Sequence, residues 1–300
     1  MFPGRYSSIR MKSERIFAAM LMLIAVALLA SCSSVRLSYD NAGFLLRVAA
    51  NRYLALTDEQ AADFKARFAA LHDWHREQEL SRYAVIFQSA GEKLSDGLTR
   101  EEVEWAIAAL QTRARVLAER AANALAPLLV TLEPAQLAVM EKKFAEDNAG
   151  FAKKYLAGDG VKQLQGRAEQ IATPLSDWIG ELSPVQERLI EGMAKQFPEF
   201  PVLRFQERQR WQNEFIALLK ENHDARILEP KLRVLLMNWE ASYSEEYARA
   251  RKSYEEGFMQ LILALDKTLT SLQRQQAVGR LESFATDFRS LALDKALVRN

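Results

Sequence analysis

From Leu232 to Leu265 the apolar residues recur in steps of four and three: Leu232, Leu236, Trp239, Tyr243, Tyr247, Ala250, Tyr254, Phe258, Leu261 and Leu265. The mean spacing, about 3.67 residues, places them on one face only if the segment is helical, and it predicts one long, nearly straight amphipathic helix. Val103, Ile107, Leu110, Ala114, Leu117, Ala121 and Leu125 make a second such stripe, and Leu137, Met140, Phe144, Phe151 and Tyr155 a third. Leu281, Phe284, Phe288 and Leu291 make a fourth near the end of the chain. No segment alternates apolar and polar residues over the length of a strand, and 300 residues hold only 12 glycines and 8 prolines to punctuate turns. The expected fold is all-α: an elongated, coiled-coil-like bundle of about eight amphipathic helices whose stripes form the core.

Five of these helices are announced by the same short pattern. Leu56-Thr57-Asp58-Glu59-Gln60, Leu98-Thr99-Arg100-Glu101-Glu102, Leu132-Glu133-Pro134-Ala135-Gln136, Leu182-Ser183-Pro184-Val185-Gln186 and Leu269-Thr270-Ser271-Leu272-Gln273 each read as a capping box. The N-cap side chain accepts from an orphan amide, the Gln or Glu three residues on reaches back, and Pro134 and Pro184 occupy the tolerated first helical position. Helix capping alone explains this chemistry. The pattern also resembles the LTxxQ signature of the Spy and CpxP periplasmic proteins, which implies a chaperone-like envelope role, although the likeness spans about five residues per copy.

The N-terminus limits where such a bundle works. Arg5, Arg10, Lys12 and Arg15 precede an apolar run from Ile16 to Leu29, too short for a stable transmembrane span. Leu29-Ala30-Ser31 then leads into Cys32, the single cysteine. This reads as a lipobox: residues 1–31 form a signal peptide recognised through Leu29, Ala30 and Ser31, and Cys32 carries the acyl (palmitate-type) groups. Met11 opens a more conventional signal than Met1. At roughly 0.8 kcal/mol per buried methylene, two or three acyl chains give stable anchoring. Ser33 and Ser34 follow, where an aspartate would retain a lipoprotein at the inner membrane, so the expected location is the periplasmic face of the outer membrane.

Residues 32–300 are expected to form one periplasmic helical domain, with a candidate subdivision near 158–182. The leader holds four of the 40 basic and one of the 39 acidic residues, leaving 36 against 38. A net charge of −2 argues against nucleic acid as a partner. With Cys32 acylated, no thiol is left for disulfide or nucleophilic chemistry.

One polar group interrupts the stripes. Phe64, Phe68 and Leu71 set an apolar face, and its continuation places His75, Gln78 and Arg82 where apolar residues belong, with Glu79 one turn beyond His75. The expectation is a buried network of His75, Glu79 and Arg82 at a helix crossing. The alternative is the floor of a cleft in which Arg76 or Arg82 holds an anion and His75 responds to pH. His72 and His75 have a spacing used by some metal sites, but no second cluster accompanies them, so neither a metal nor another cofactor is expected. No nucleophile elbow, P-loop or HExxH motif appears.

Leu37-Ser38-Tyr39-Asp40-Asn41, Trp74-His75-Arg76 with Glu79, Leu80 and Tyr83, Trp178 with Gly180, Leu182 and Gln186, and Leu269-Thr270 through Phe288 and Leu291 resemble a family of proteobacterial lipoproteins of unknown function. The resemblance implies lipidation and an all-helical fold and brings no catalytic residues; Ala49-Ala50-Asn51 stands where such proteins often carry acids. The expected role is therefore non-enzymatic: a binding, scaffolding or chaperone-like lipoprotein, held to the membrane by its acyl chains and meeting a protein partner or a second copy of itself. The competing expectation is a cell-wall hydrolase or ligand-binding lipoprotein using His75, Glu79 and Arg82.

Overall fold

The computed structural model describes residues 32–237 and 243–298. Among them every regular element is a helix, twelve in all: α1 (Cys32–Asp40), α2 (Ala42–Leu54), α3 (Asp58–Gln78), α4 (Leu80–Ser95), α5 (Arg100–Leu129), α6 (Pro134–Tyr155), α7 (Gly160–Ile179), α8 (Pro184–Gln196), α9 (Phe200–Glu221), α10 (Ala225–Met237), α11 (Glu245–Asp266) and α12 (Ser271–Val298). Leu29, Ala30 and Ser31 lie outside the described residues, and Cys32 opens α1.

Twelve helices replace the expected eight because local start and stop signals divide periodic stretches. The stripe beginning at Leu232 is shared by two helices: α10 is described as far as Met237, and Ser244 caps α11 by accepting from the Tyr247 amide (3.2 Å), with Glu245 and Glu246 in the first turn. A capping serine followed by two acids starts a helix whatever the continuity of the apolar spacing. Trp239 lies outside the described residues. The single long helix expected from periodicity is thus corrected to two.

Three apolar clusters hold the helices. The first gathers Tyr53 and Leu54 of α2, Ala118, Ala122 and Ala126 of α5, Met140 and Phe144 of α6, Phe215 of α9 and Leu228 and Leu232 of α10. In the second, Val35 and Tyr39 of α1 and Leu80, Tyr83 and Phe87 of α4 meet Phe284, Phe288 and Leu291 of α12. The third joins Ile171 of α7, Ile190 and Met193 of α8 and Leu261 and Leu265 of α11. Every buried residue of these clusters falls between Val35 and Leu291. Full burial of each large side chain contributes about 1.5–3 kcal/mol, so the clusters rather than helix propensity stabilise the fold.

The five boxes begin helices as expected. At Thr57, Thr99, Ser183 and Thr270 the hydroxyl accepts from the third amide on, and the Gln or Glu there accepts from the cap amide in return. At Glu133 the return bond to Gln136 is made (3.0 Å), while the Gln136 amide donates to the Glu133 carbonyl (2.9 Å).

Four of the boxes also meet in pairs. Gln60 and Gln136 exchange side-chain amide hydrogen bonds (3.2 and 2.7 Å), and so do Gln186 and Gln273 (3.0 and 3.1 Å). Each glutamine then donates to a backbone carbonyl two residues before its partner's cap: Thr131, Ala55, Thr268 and Glu181. The same junction thus joins α3 to α6 and α8 to α12. The box at Thr99 ends in Glu102, which pairs with Lys93 (3.4 Å) instead. The turns beside the two junctions are built differently: Ala55 takes a left-handed conformation (φ 45°) before the first, and Gly180 a positive φ (84°) before the second. Left-handed backbone costs an alanine roughly 1–2 kcal/mol that a glycine avoids.

Candidate functional site

The polar interruption sits where α3 passes into α4. The buried face of the two helices runs through Phe64, His75, Glu79, Tyr83 and Phe87. Steps of four overshoot a 3.6-residue turn, and Glu79 (φ −109°) breaks the helical geometry between α3 and α4 where the face must be reset. Hydrogen bonding is kept across the break, the Glu79 amide donating to the His75 carbonyl (2.9 Å) and the Tyr83 amide to the Glu79 carbonyl (3.0 Å). Continuing the face at mixed helical spacing, with a step of three from His75, had placed Gln78 and Arg82 inside; both are exposed, because the step of four from His75 to Glu79 prevails.

The expected network separates into two. Glu79, 1% exposed, takes both Arg113 of α5 (3.3 and 3.4 Å) and Arg82 (3.2 Å), whose side chain is 54% exposed. Arg113 was not anticipated from the sequence. Its place beside the stripe residues Leu110, Ala114 and Leu117 puts it at the edge of a buried face, but nothing local links it to Glu79.

His75, 8% exposed, makes no side-chain bond to Glu79. Its Nδ1 lies 2.9 Å from the Tyr39 hydroxyl of α1, and its ring lies among those of Tyr39, Trp74 and Tyr83. His72 approaches the Tyr39 backbone carbonyl (3.2 Å), and Arg76 lies over the Tyr39 ring and pairs with Asp40. Burial, with a smaller contribution from His72, lowers the His75 pKa to about 4, so the ring is neutral at pH 7. His72 is lowered too, by burial and then by Arg76. Burial also pushes the Tyr39 and Tyr83 hydroxyls well above the ordinary tyrosine range. Among the described residues no three His, Cys, Asp or Glu side chains converge as metal ligands.

Beside this cluster lies a cavity of about 180 Å³, walled mainly by Ala50 and Tyr53 of α2, Phe64 and Phe68 of α3, and Ala121 and Leu125 of α5, with Tyr39, His72 and His75 in its lining. Along α3 the lining extends from Phe64 to His75, eleven residues and hence about 16 Å of helix. Arg67 also lines the cavity, donating from Nε to Asp63 (2.7 Å) and from Nη1 to the Ala124 carbonyl (3.4 Å).

A family model described as a family of unknown function (DUF6279) matches residues 52–248. The chain belongs to this family. The matched region contains His72, His75, Glu79 and Arg113 and most of the cavity wall, whereas Tyr39 and α12 lie outside it. No curated protein and no solved structure matches the chain.

Proposed function

We propose that this DUF6279 protein is an outer-membrane lipoprotein, acylated on Cys32, whose helical domain lies against the periplasmic leaflet and acts by binding rather than by catalysis. The observation that carries this reading is the outer face of the first two helices. Leu37 (65% exposed), Phe44 (58%), Leu45 and Val48 stand in solvent within sixteen residues of Cys32, with Arg47 beside the Phe44 ring. An apolar helix face with basic residues at its margin suits the headgroup and acyl boundary of a bilayer. The acyl anchor would hold it there, and no described helix is long and apolar enough to cross the membrane.

The polar cluster supports binding over hydrolysis: the oxygens of Glu79 are taken up by two guanidinium groups, an arrangement that holds helices together. The capping boxes spend their glutamines inside the fold, so the chaperone-like part of the reading rests on the exposed faces and not on the LTxxQ pattern. The test is metabolic labelling with a fatty-acid analogue. Wild-type protein should incorporate label and fractionate with the outer membrane, and Cys32→Ser should do neither. Normal labelling of Cys32→Ser would overturn the lipoprotein assignment.

A further inference from the structure

A second, open groove runs between α6 and α9, and it holds a polar side chain that the fold orients without using up. Glu141 to Ala152 line it along α6, eleven residues and about 16 Å of helix, and Phe205 to Asn213 line it along α9. Its volume of about 410 Å³ is that of a small-molecule site, roughly 300–1,000 Å³. The most deeply set polar side chain of the lining is Gln212, 5% exposed. A chain of hydrogen bonds fixes which way its amide points. Arg208 has only donors, and its Nε gives one to Asn148 Oδ1 (2.9 Å). The other end of that amide, Nδ2, therefore donates to Gln212 Oε1 (2.7 Å). Gln212 Nε2 is left over. Among the described residues it donates to nothing, and it is not sealed in as His75 Nε2 is, so it keeps surface on the groove. A donor held this firmly at the base of a groove calls for an acceptor from outside the protein.

The rest of the lining defines what can bring that acceptor. Its one ionic side chain, Glu141, pairs with Lys220 (2.6 Å), so a neutral ligand fits. On the wall of α6, Ala145 and Ala149 present exposed methyl groups. Phe205 stacks on Phe151 (centroids 5.5 Å apart, 13° between planes) and gives one end of the groove a rigid aromatic face. A hydroxyl set between Gln212 and the alanine methyls would carry a proton with no acceptor in reach, whereas a carbonyl carries none. Gln209 and Asn213 stand exposed on the rim, and each both donates and accepts, as sugar hydroxyls do. Peptides also carry carbonyls, but they dock through apolar anchors or by adding to a strand edge. The exposed wall of α6 offers methyl groups in place of anchor pockets, and no strand occurs among the described residues.

We propose that the groove between α6 and α9 binds a neutral, N-acetylated oligosaccharide. An acetamido carbonyl accepts from Gln212 Nε2, its methyl group lies against Ala149, and neighbouring hydroxyls meet Gln209 and Asn213. Nothing in this depends on acylation of Cys32.

The probe is triacetylchitotriose, titrated into the full-length chain in dodecylphosphocholine micelles, a detergent without a sugar headgroup. Calorimetry should show saturable binding, and with ¹⁵N-labelled glutamine the Gln212 side-chain resonances should move over the same concentration range. Cellotriose, alike except for hydroxyls in place of the acetamido groups, should bind roughly two- to tenfold more weakly, the worth of one hydrogen bond. Gln212→Met should weaken triacetylchitotriose binding by about the same factor. Ala149→Trp changes an exposed position and fills the groove, so it should weaken binding by about tenfold or more while leaving helical circular dichroism unchanged. Ala145→Trp, also exposed, serves if Ala149→Trp fails to fold, and the wild-type Gln212 resonances decide if Gln212→Met does. No saturable binding, unmoved Gln212 resonances, cellotriose bound as tightly as triacetylchitotriose, or undiminished binding to the filled variants would overturn the proposal. Equal affinity for a capped trialanine peptide would also overturn it, and would make the groove a peptide site. Failed fatty-acid labelling would instead remove the lipoprotein reading and leave this one standing.

Discussion

His75 and Glu79 are one helical turn apart, both buried and both polar, yet the fold satisfies them in opposite ways. Glu79 is surrounded: Arg113 from α5 and Arg82 from α4 take up its oxygens, and a carboxylate so held ties the α3–α4 junction to α5. His75 is half served, with Tyr39 on Nδ1 and nothing from the protein on Nε2. Burial alone therefore does not tell a fully satisfied polar group from a partly satisfied one. The distinction lies in how many of its hydrogen-bonding positions the protein itself fills.

The sharpest way to break this comparison is to strip Glu79 of its buried partner. Arg113→Leu should lower the unfolding free energy by about 3–5 kcal/mol, because an unpaired charge stays behind in the core; a loss below about 1 kcal/mol in urea titration would show Glu79 to be as unencumbered as His75. Acid should act on the other member. The folded pKa of His75 lies below its unfolded value, so the unfolded chain binds the extra proton, and stability is lost as pH falls from about 6.5 toward about 4. The fully developed loss is about 3 kcal/mol, with His72 acting in the same direction among the facing groups Tyr39, Tyr83 and Arg76. His75→Leu should flatten that part of the curve, measured as urea midpoint against pH. Tyr39→Phe leaves Nδ1 as well as Nε2 without a protein partner and should cost about 1–3 kcal/mol by thermal unfolding. The smallest effect is expected from Arg82→Leu. The sequence alone placed Arg82 in a buried network, but its exposed guanidinium reduces the expectation to below about 1 kcal/mol, and a larger loss would mean that Arg82 rather than Arg113 holds Glu79.

Most of the helices were legible in the sequence because caps and apolar periods are local. Thr57, Thr99, Ser183 and Thr270 start helices where their spacing to Gln or Glu said they would. What those glutamines do next was not legible, since Gln60 meets Gln136 and Gln186 meets Gln273 only after distant helix starts have been brought together. The helix start at Ser244 was missed because the apolar spacing runs on across it, so periodicity outweighed the start signal there. At the candidate site His75 and Glu79 announced themselves as polar residues on an apolar face. Arg113 and Tyr39 did not, because each looks ordinary on its own helix and gains its role from a neighbour on another. The cavity had no signal at all: an unfilled volume belongs to the packing of seven helices and to no residue in particular.

The second apolar cluster has a consequence in time as well as in space. Its aromatics on α4 are covered by α12, the last of the described helices, and Arg274 in that helix donates to the Leu94 carbonyl (2.6 Å) 180 residues upstream. A polypeptide grows from its N-terminus at about 5–20 residues per second, so Tyr83 and Phe87 wait on the order of ten seconds for the residues that will shelter them. Throughout that interval the early helices keep an uncovered apolar surface, and the docking of α12 is the event that shelters it.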